Sequence, residues 1–258
     1  MKITSLLENT AGRKDVSAEH GLSLYIETED HKLLFDMGQT DLFCENARTL
    51  GVDLSEVDLA VLSHGHYDHG GGLKKFLEIN KKAPVYLSRY AFGDHYNGTE
   101  RYIGLDPALR GTKRLIETDE VTAIGEGLTL YSCNRKERRY DLGSFGLNRR
   151  EGDEFLPDDF RHEQYLLIEE DGKRVLISGC SHKGILNIAD WFKPDVLVGG
   201  FHFSGLAPDD TLKGYAKILN SYDTRYYTCH CTGVGQFEFM KSFMDHMEYL
   251  SCGQSIEV

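Results

Sequence analysis

The segment Ser63–Gly72 reads SHGHYDHGGG and sets three imidazoles and one carboxylate, His64, His66, Asp68 and His69, within six residues. Neutral imidazole and carboxylate are donors to divalent transition ions, and a packed core has no need of four such groups together. The preceding Val57–Leu62 is a short apolar run of buried-strand length. Gly70–Gly72 then free the chain before a helical spacing opens at Leu73. The donors are therefore expected on a loop at the C-terminal end of a strand. On such a loop His64 and His66 share a direction while Asp68 and His69 swing to the next position, so one loop can feed two neighbouring cations.

A loop fixes cations only if rigid elements fix the loop. Leu22–Glu27 alternates, Glu29–His31 turns and Lys32–Phe35 returns, which predicts a hairpin. Phe43, Ala47 and Leu50 share one helical face that stops at Gly51. In the second half, Tyr165–Ile168 and Arg174–Ser178 flank Asp171–Gly172, a two-residue turn signal. Ile185, Ile188, Ala189 and Phe192 predict a helix ending before Pro194, and Asp195–Val198 reads as a buried strand. A helix over Leu212–Leu219, a strand over Arg225–Cys231 and a last helix over Phe237–Met247 follow. Spacing alone leaves α/β and α+β both open.

Further donors are expected at similar strand ends, and three places qualify: Phe160–Gln164 with His162, Gly179–His182 with Cys180, and Tyr226–Gly233 with His230. Glu163 is the local alternative to His162. His182, two residues beyond Cys180, faces the same way and is a candidate ligand, supporting donor or substrate contact. Strand alternation puts Cys229 and Cys231 opposite His230, which reads as packing and not as a zinc pair. Gly199–Gly200 permits close backbone approach at another strand end, where His202 is placed to donate to an oxyanion or phosphate.

The chain has 258 residues, a net charge of −12 and a pI near 5.4. That balance gives no general field for nucleic acid or an anionic membrane, so an anionic ligand must meet a local patch. Residues 134–150 supply one, with six basic against two acidic side chains, and Arg138 and Arg139 are its candidate substrate contacts. The first residues lack a signal-peptide apolar stretch and no run of about 18 apolar residues occurs. A soluble, cytoplasmic protein is expected, and its six cysteines read as thiols. One domain over 1–258 is predicted, with the aromatic- and glycine-rich 89–160 as a lid or insertion over the site. The sequence sets no oligomeric state.

H-x-H-x-D-H after a buried strand resembles the signature of the metallo-β-lactamase superfamily, and Leu33–Gly38, LLFDMG, resembles its first motif. The resemblance implies a four-layer αββα sandwich and gives Asp36 the role of orienting a ligand from behind. It further implies that His64, His66 and His162 hold one cation and Asp68, His69 and His230 another. Cys180 falls where the superfamily has a bridging Asp, and a thiolate there favours zinc, with iron or manganese as alternatives. GCSHKGILNI over 179–188, GGFHFSG over 199–205 and CHCTG over 229–233 resemble a narrower group, labelled dihydropterin ribofuranosylaminobenzene 5′-phosphate synthase-like. Most members of that group are known only as predicted metal-dependent hydrolases.

The function so implied is an intracellular metal-dependent hydrolase with two divalent cations and a metal-activated water, acting on a small phosphorylated or otherwise anionic substrate. Asp68 would ligate and orient the water, with His182 and His202 touching substrate or leaving group. A thioester or lactone hydrolase is the near alternative. A phosphoribosyl-type synthase or transferase, and a noncatalytic metal-binding protein, are the others.

Overall fold

The hairpin around Glu29–His31 forms, with Ser23–Glu27 antiparallel to Lys32–Phe35 and Lys2–Leu7 beside them. The sheet continues in parallel through Leu59–Val61, Val85–Ser88 and Leu115–Thr118, with Ser255–Glu257 on its far edge. These elements come from a computed structural model that describes every residue, Met1–Val258. A second seven-stranded sheet repeats the plan. Val121–Gly125, Leu128–Tyr131, Tyr165–Glu170 and Lys173–Ile177 run antiparallel, then Val196–Gly199, Arg225–Thr228 and Met247–Tyr249 join in parallel. Asp171 and Gly172 take φ of 53° and 74°, the left-handed pair that a tight two-residue hairpin turn demands.

The two sheets pack face to face: Ile26, Leu33, Phe35 and Val61 of the first meet Leu166, Ile168, Val175 and Ile177 of the second, all buried. Burying each such side chain contributes about 1.5–3 kcal/mol before chain entropy is set against it. Phe43 and Ala47 of the helix Leu42–Thr49, and Leu73 and Phe76 of Leu73–Ile79, cover the outer face of the first sheet. Helices Ile185–Phe192, Asp210–Leu219 and Val234–Lys241 cover the second. The architecture is thus an αββα sandwich. No helix is long and apolar enough to cross a membrane.

Three local expectations change. The strand from Arg225 stops at Thr228, and His230–Thr232 forms a 3-10 turn with His230 at φ 51°. Alternation therefore ends before the cysteines: Cys229 joins the core between the sheets, whereas Cys231 turns toward Cys180, its Sγ 3.6 Å from the Cys180 carbonyl. The final helix ends at Lys241, and Met247 opens an edge strand. The segment 89–160 divides: Leu115–Thr118, Val121–Gly125 and Leu128–Tyr131 belong to the main sheets because Leu128 and Leu130 enter the core. Its remaining strands, His95–Asn97, Arg101–Tyr102, Leu147–Glu151 and Glu154–Pro157, make a separate four-stranded sheet.

Parallel strands bring their C-terminal ends to one edge, where open α/β sheets form their crevices. Leu59–Val61 delivers the 63–69 loop there, and three strands of the second sheet deliver Cys180, His202 and His230. At this seam Gly179 is required: a Cβ on it would stand 2.2 Å from Ser63 Oγ.

Candidate metal centre

Asp36 follows a strand end at φ 61° and is fully buried. Its carboxylate accepts from the Ser63 amide at 2.7 Å, from Ser63 Oγ at 2.7 Å and from His69 Nδ1 at 2.6 Å. These bonds fix two tautomers. Ser63 spends its one hydroxyl proton on Asp36, so at its 2.7 Å contact with His64 Nδ1 it must accept, which leaves His64 Nε2 as the lone-pair nitrogen. His69 donates from Nδ1, so its Nε2 is the nitrogen turned toward the neighbouring donors. Asp36 thus stands behind both Ser63 and His69.

His69 Nε2 lies 3.1 Å from Cys180 Sγ, 3.2 Å from His230 Nε2 and 3.6 Å from Asp68 Oδ2, and His230 Nε2 lies 3.5 Å from that oxygen. His230 Nδ1 donates to Asn9 Oδ1 at 2.8 Å, which leaves its Nε2 as a lone pair facing His69 Nε2 and a carboxylate oxygen. Without a positive charge between them these groups repel. Two donors on one tetrahedral zinc, each at about 2.0–2.1 Å, stand about 3.3 Å apart, which is the spacing here. Burial pushes the Asp68 carboxyl up, and His69, His20 and His230 more than reverse it, holding it well below the usual range.

His64, His66 and His182 make the second set, with ring centroids 4.5, 4.9 and 5.0 Å apart and donor atoms within 4.8 Å of one another. His64 Nε2, His66 Nε2 and both nitrogens of His182 are buried without hydrogen-bond partners, an arrangement that a bound cation satisfies. Burial first, then the neighbouring imidazoles, push all three well below their usual pKa, so they are neutral donors.

The resemblance puts His162 with His64 and His66; in the structure it shares a set with His66 but not with His64, and its Nε2 is also buried without a hydrogen-bond partner. His162 Nδ1 accepts from the Gly65 amide at 2.9 Å and its ring lies 5.8 Å from that of His64. It clusters instead with His66, His95 and Asp158, and burial with His95 brings it down to about 4 against the pull of Asp158. Glu163, the alternative ligand, accepts the amides of His182 and Lys183 at 2.6 and 3.0 Å and so fixes the His182 backbone. His202, at φ 56°, stands with its ring 4.3 Å from that of His182 and groups with Cys180 and Cys231. Phe160 stacks on His182 and Phe145 lies against His202, which is what the 89–160 segment places beside the imidazoles.

Sequence reading missed His20, whose Nε2 lies 3.1 Å from Asp68 Oδ2, and Asn9 and Glu8, which hold the ring and the amide of His230. It also missed His95 and Asp158. Lone residues far from the ligand loop carry no spacing signal. Arg138 donates to the Asp159 carbonyl at 2.6 Å and Arg139 pairs with Asp190 at 3.3 Å, and both side chains are exposed.

The family model described as "Metallo-beta-lactamase superfamily" matches residues 17–214. The uncharacterized protein MJ0448 of Methanocaldococcus jannaschii is 33% identical over 242 residues, covering 90% of each chain. From the same organism, 7,8-dihydropterin-6-methyl-4-(beta-D-ribofuranosyl)-aminobenzene-5'-phosphate synthase is 27% identical, covering 100% of this chain and 96% of its own. The crystal structure of Tm1679, described as a metal-dependent hydrolase of the beta-lactamase superfamily, superposes with a TM-score of 0.85 at 31% identity, over 100% of this chain and 99% of that one.

Proposed function

The chain belongs to the metallo-β-lactamase superfamily, and from that premise we propose a metal-dependent hydrolase that holds two divalent transition-metal ions, zinc foremost. The observation that carries this reading is a pair of buried donor sets, His64 with His66 and His182, whose ring nitrogens lack partners, and His69 with His230, Cys180 and the Asp68 carboxylate. A cation bound there lowers the pKa of water toward about 7 and polarises a substrate oxygen. His64, His66 and His182 would hold one ion, and Asp68, His69 and His230 with Cys180 the other. Asp68, which accepts from the half-exposed His20, would orient a water at the site. His202, with a buried Nδ1 that has no partner, contacts substrate, and Phe145 and Phe160 restrict water around it.

The substrate class of this reading is a small phosphorylated or otherwise anionic molecule. The synthase of M. jannaschii, whose name includes a 5′-phosphate, supports a second reading in which the same donors position a phosphorylated substrate for synthesis. Elemental analysis followed by a panel of phosphomonoester, phosphodiester, lactone and thioester substrates tests both. Near-zero metal after loading would sink the first reading; metal with turnover only in a condensing assay would select the second.

A narrower test separates the two third-donor candidates. His182→Ala should remove about one ion per chain, because it deletes a donor with no other partner. His162→Ala should keep the stoichiometry and weaken affinity by about tenfold through the loosened Gly65 amide. Competition titrations of the two variants decide it, and the reverse pattern would return His162 to the ligand set.

A further inference from the structure

A cavity of about 310 Å³, lined by none of the proposed metal ligands, is bounded by His95 and Asp158, which group with His66 and His162. Its wall carries five guanidiniums, Arg89, Arg110, Arg149, Arg150 and Arg161, in a chain whose net charge is −12. Asp94, Glu117, Glu151 and the buried Asp158, which is taken up by His95, share the wall, and the main partners of Arg89 and Arg161 are Asp119 and Asp159, which do not line it. Arg150 is held by Asp94 at 2.8 Å and Arg149 by Glu151 at 2.9 Å. Arg110 has no carboxylate partner; it donates to the Phe92 carbonyl and lies 5.7 Å from the Phe92 ring centroid. Each guanidinium has five N–H groups and uses only a few on these partners, so the forks are pre-set and still hold donors.

One buried polar atom of the wall has no partner. His95 Nε2 faces Gly93, which also lines the cavity: a Cβ on that glycine would stand 3.0 Å from it. The other nitrogen of His95 donates to Asp158 Oδ2 at 2.9 Å, and the same oxygen lies 3.3 Å from His162 Nε2. His162 in turn accepts from the amide of Gly65, between His64 and His66. The Ala91 carbonyl, in the segment that borders the cavity, is 2.1 Å from where a Cβ on Gly65 would stand. The cavity wall and the ligand loop are therefore in contact along two paths.

We propose that this cavity binds a small phosphorylated molecule at a site separate from the metal centre, and that its occupant bears on the ligand loop through His95, Asp158 and His162. Planar guanidinium forks match phosphate oxygens in pairs, and the volume exceeds that of one phosphate group by several water molecules at about 30 Å³ each. The site goes beyond the hydrolase reading, which metal content and turnover test independently.

The probe is inorganic phosphate, titrated into the metal-loaded protein and followed by phosphorus NMR. Arg110→Gln is the main variant because no ion pair is lost with it; an Arg110→Gln, Arg150→Gln double variant follows, and Lys81→Gln, Lys217→Gln, at two exposed lysines outside the cavity, is the control. Wild type and control should bind alike and more weakly at higher salt. Arg110→Gln should bind about tenfold more weakly at unchanged metal content and melting temperature, and the double variant more weakly still. Equal affinity in all four proteins would overturn the proposal by placing phosphate on the cations. A loss shared by the control would overturn it as an effect of overall charge.

Discussion

Replacing Asp68 by Asn should lower kcat by about a hundred- to a thousandfold and leave KM nearly unchanged. The amide keeps the volume and one oxygen but removes the charge that faces His69 and His230 at 3.6 and 3.5 Å. A bound cation would then have a weaker donor on one side, and the water would lose the charge that orients it. Steady-state kinetics on whichever substrate the panel yields, at matched metal content, gives the answer. Unchanged kcat with a raised KM would place Asp68 in uniform substrate binding instead.

Metal affinity should rise about tenfold per pH unit up to about pH 9, a hundredfold between about pH 7 and 9. Burial works to lower the His69 pKa, but the carboxylates of Asp36 and Asp68 outweigh it and bring the imidazole up to about 9. Below that pH the metal-free ring holds a second proton on the nitrogen that a cation needs, so binding must expel it. Above it the nitrogen is already free and the His69 part of the dependence flattens, leaving the proton of the Cys180 thiol, which burial pushes well above its usual pKa, as the remaining slope. Competition with a chromophoric chelator across this range, corrected for the chelator's own titration, measures the slope. Asp36→Asn should both weaken binding by about ten- to a hundredfold and flatten the profile, because the charge that raises His69 is gone. A flat profile in the wild type would mean that the carboxylates do not hold the proton.

The ligand loop was legible because its donors are contiguous: H-x-H-x-D-H needs no tertiary information. Asp36 was legible only through the resemblance, since one Asp at a strand end otherwise reads as a turn residue. The choice between His162 and His182 was not legible. Both sit near strand ends, and what separates them is a bond from the Gly65 amide to His162 Nδ1, formed between residues 97 apart. Cys231 was misplaced because alternation was carried past Thr228, where the chain leaves the strand through a left-handed His230. The contiguous basic run at 134–150 drew attention to Arg138 and Arg139. The cationic cavity instead gathers single arginines scattered from 89 to 161, a pattern that only the fold assembles.

The seam at Gly179 bears on how the molecule comes apart. Each proposed cation position draws donors from both halves of the chain, residues 64–69 on one sheet and 180–182 or 230 on the other. An ion there is a removable cross-link between the sheets, and its binding energy is part of the energy that keeps them docked. Every tenfold excess of free ion over its dissociation constant then adds about 1.4 kcal/mol of resistance to unfolding. A thermal melt recorded against buffered metal concentration would therefore report site occupancy with no substrate in hand, and proteases would find the chelated protein open first along this line.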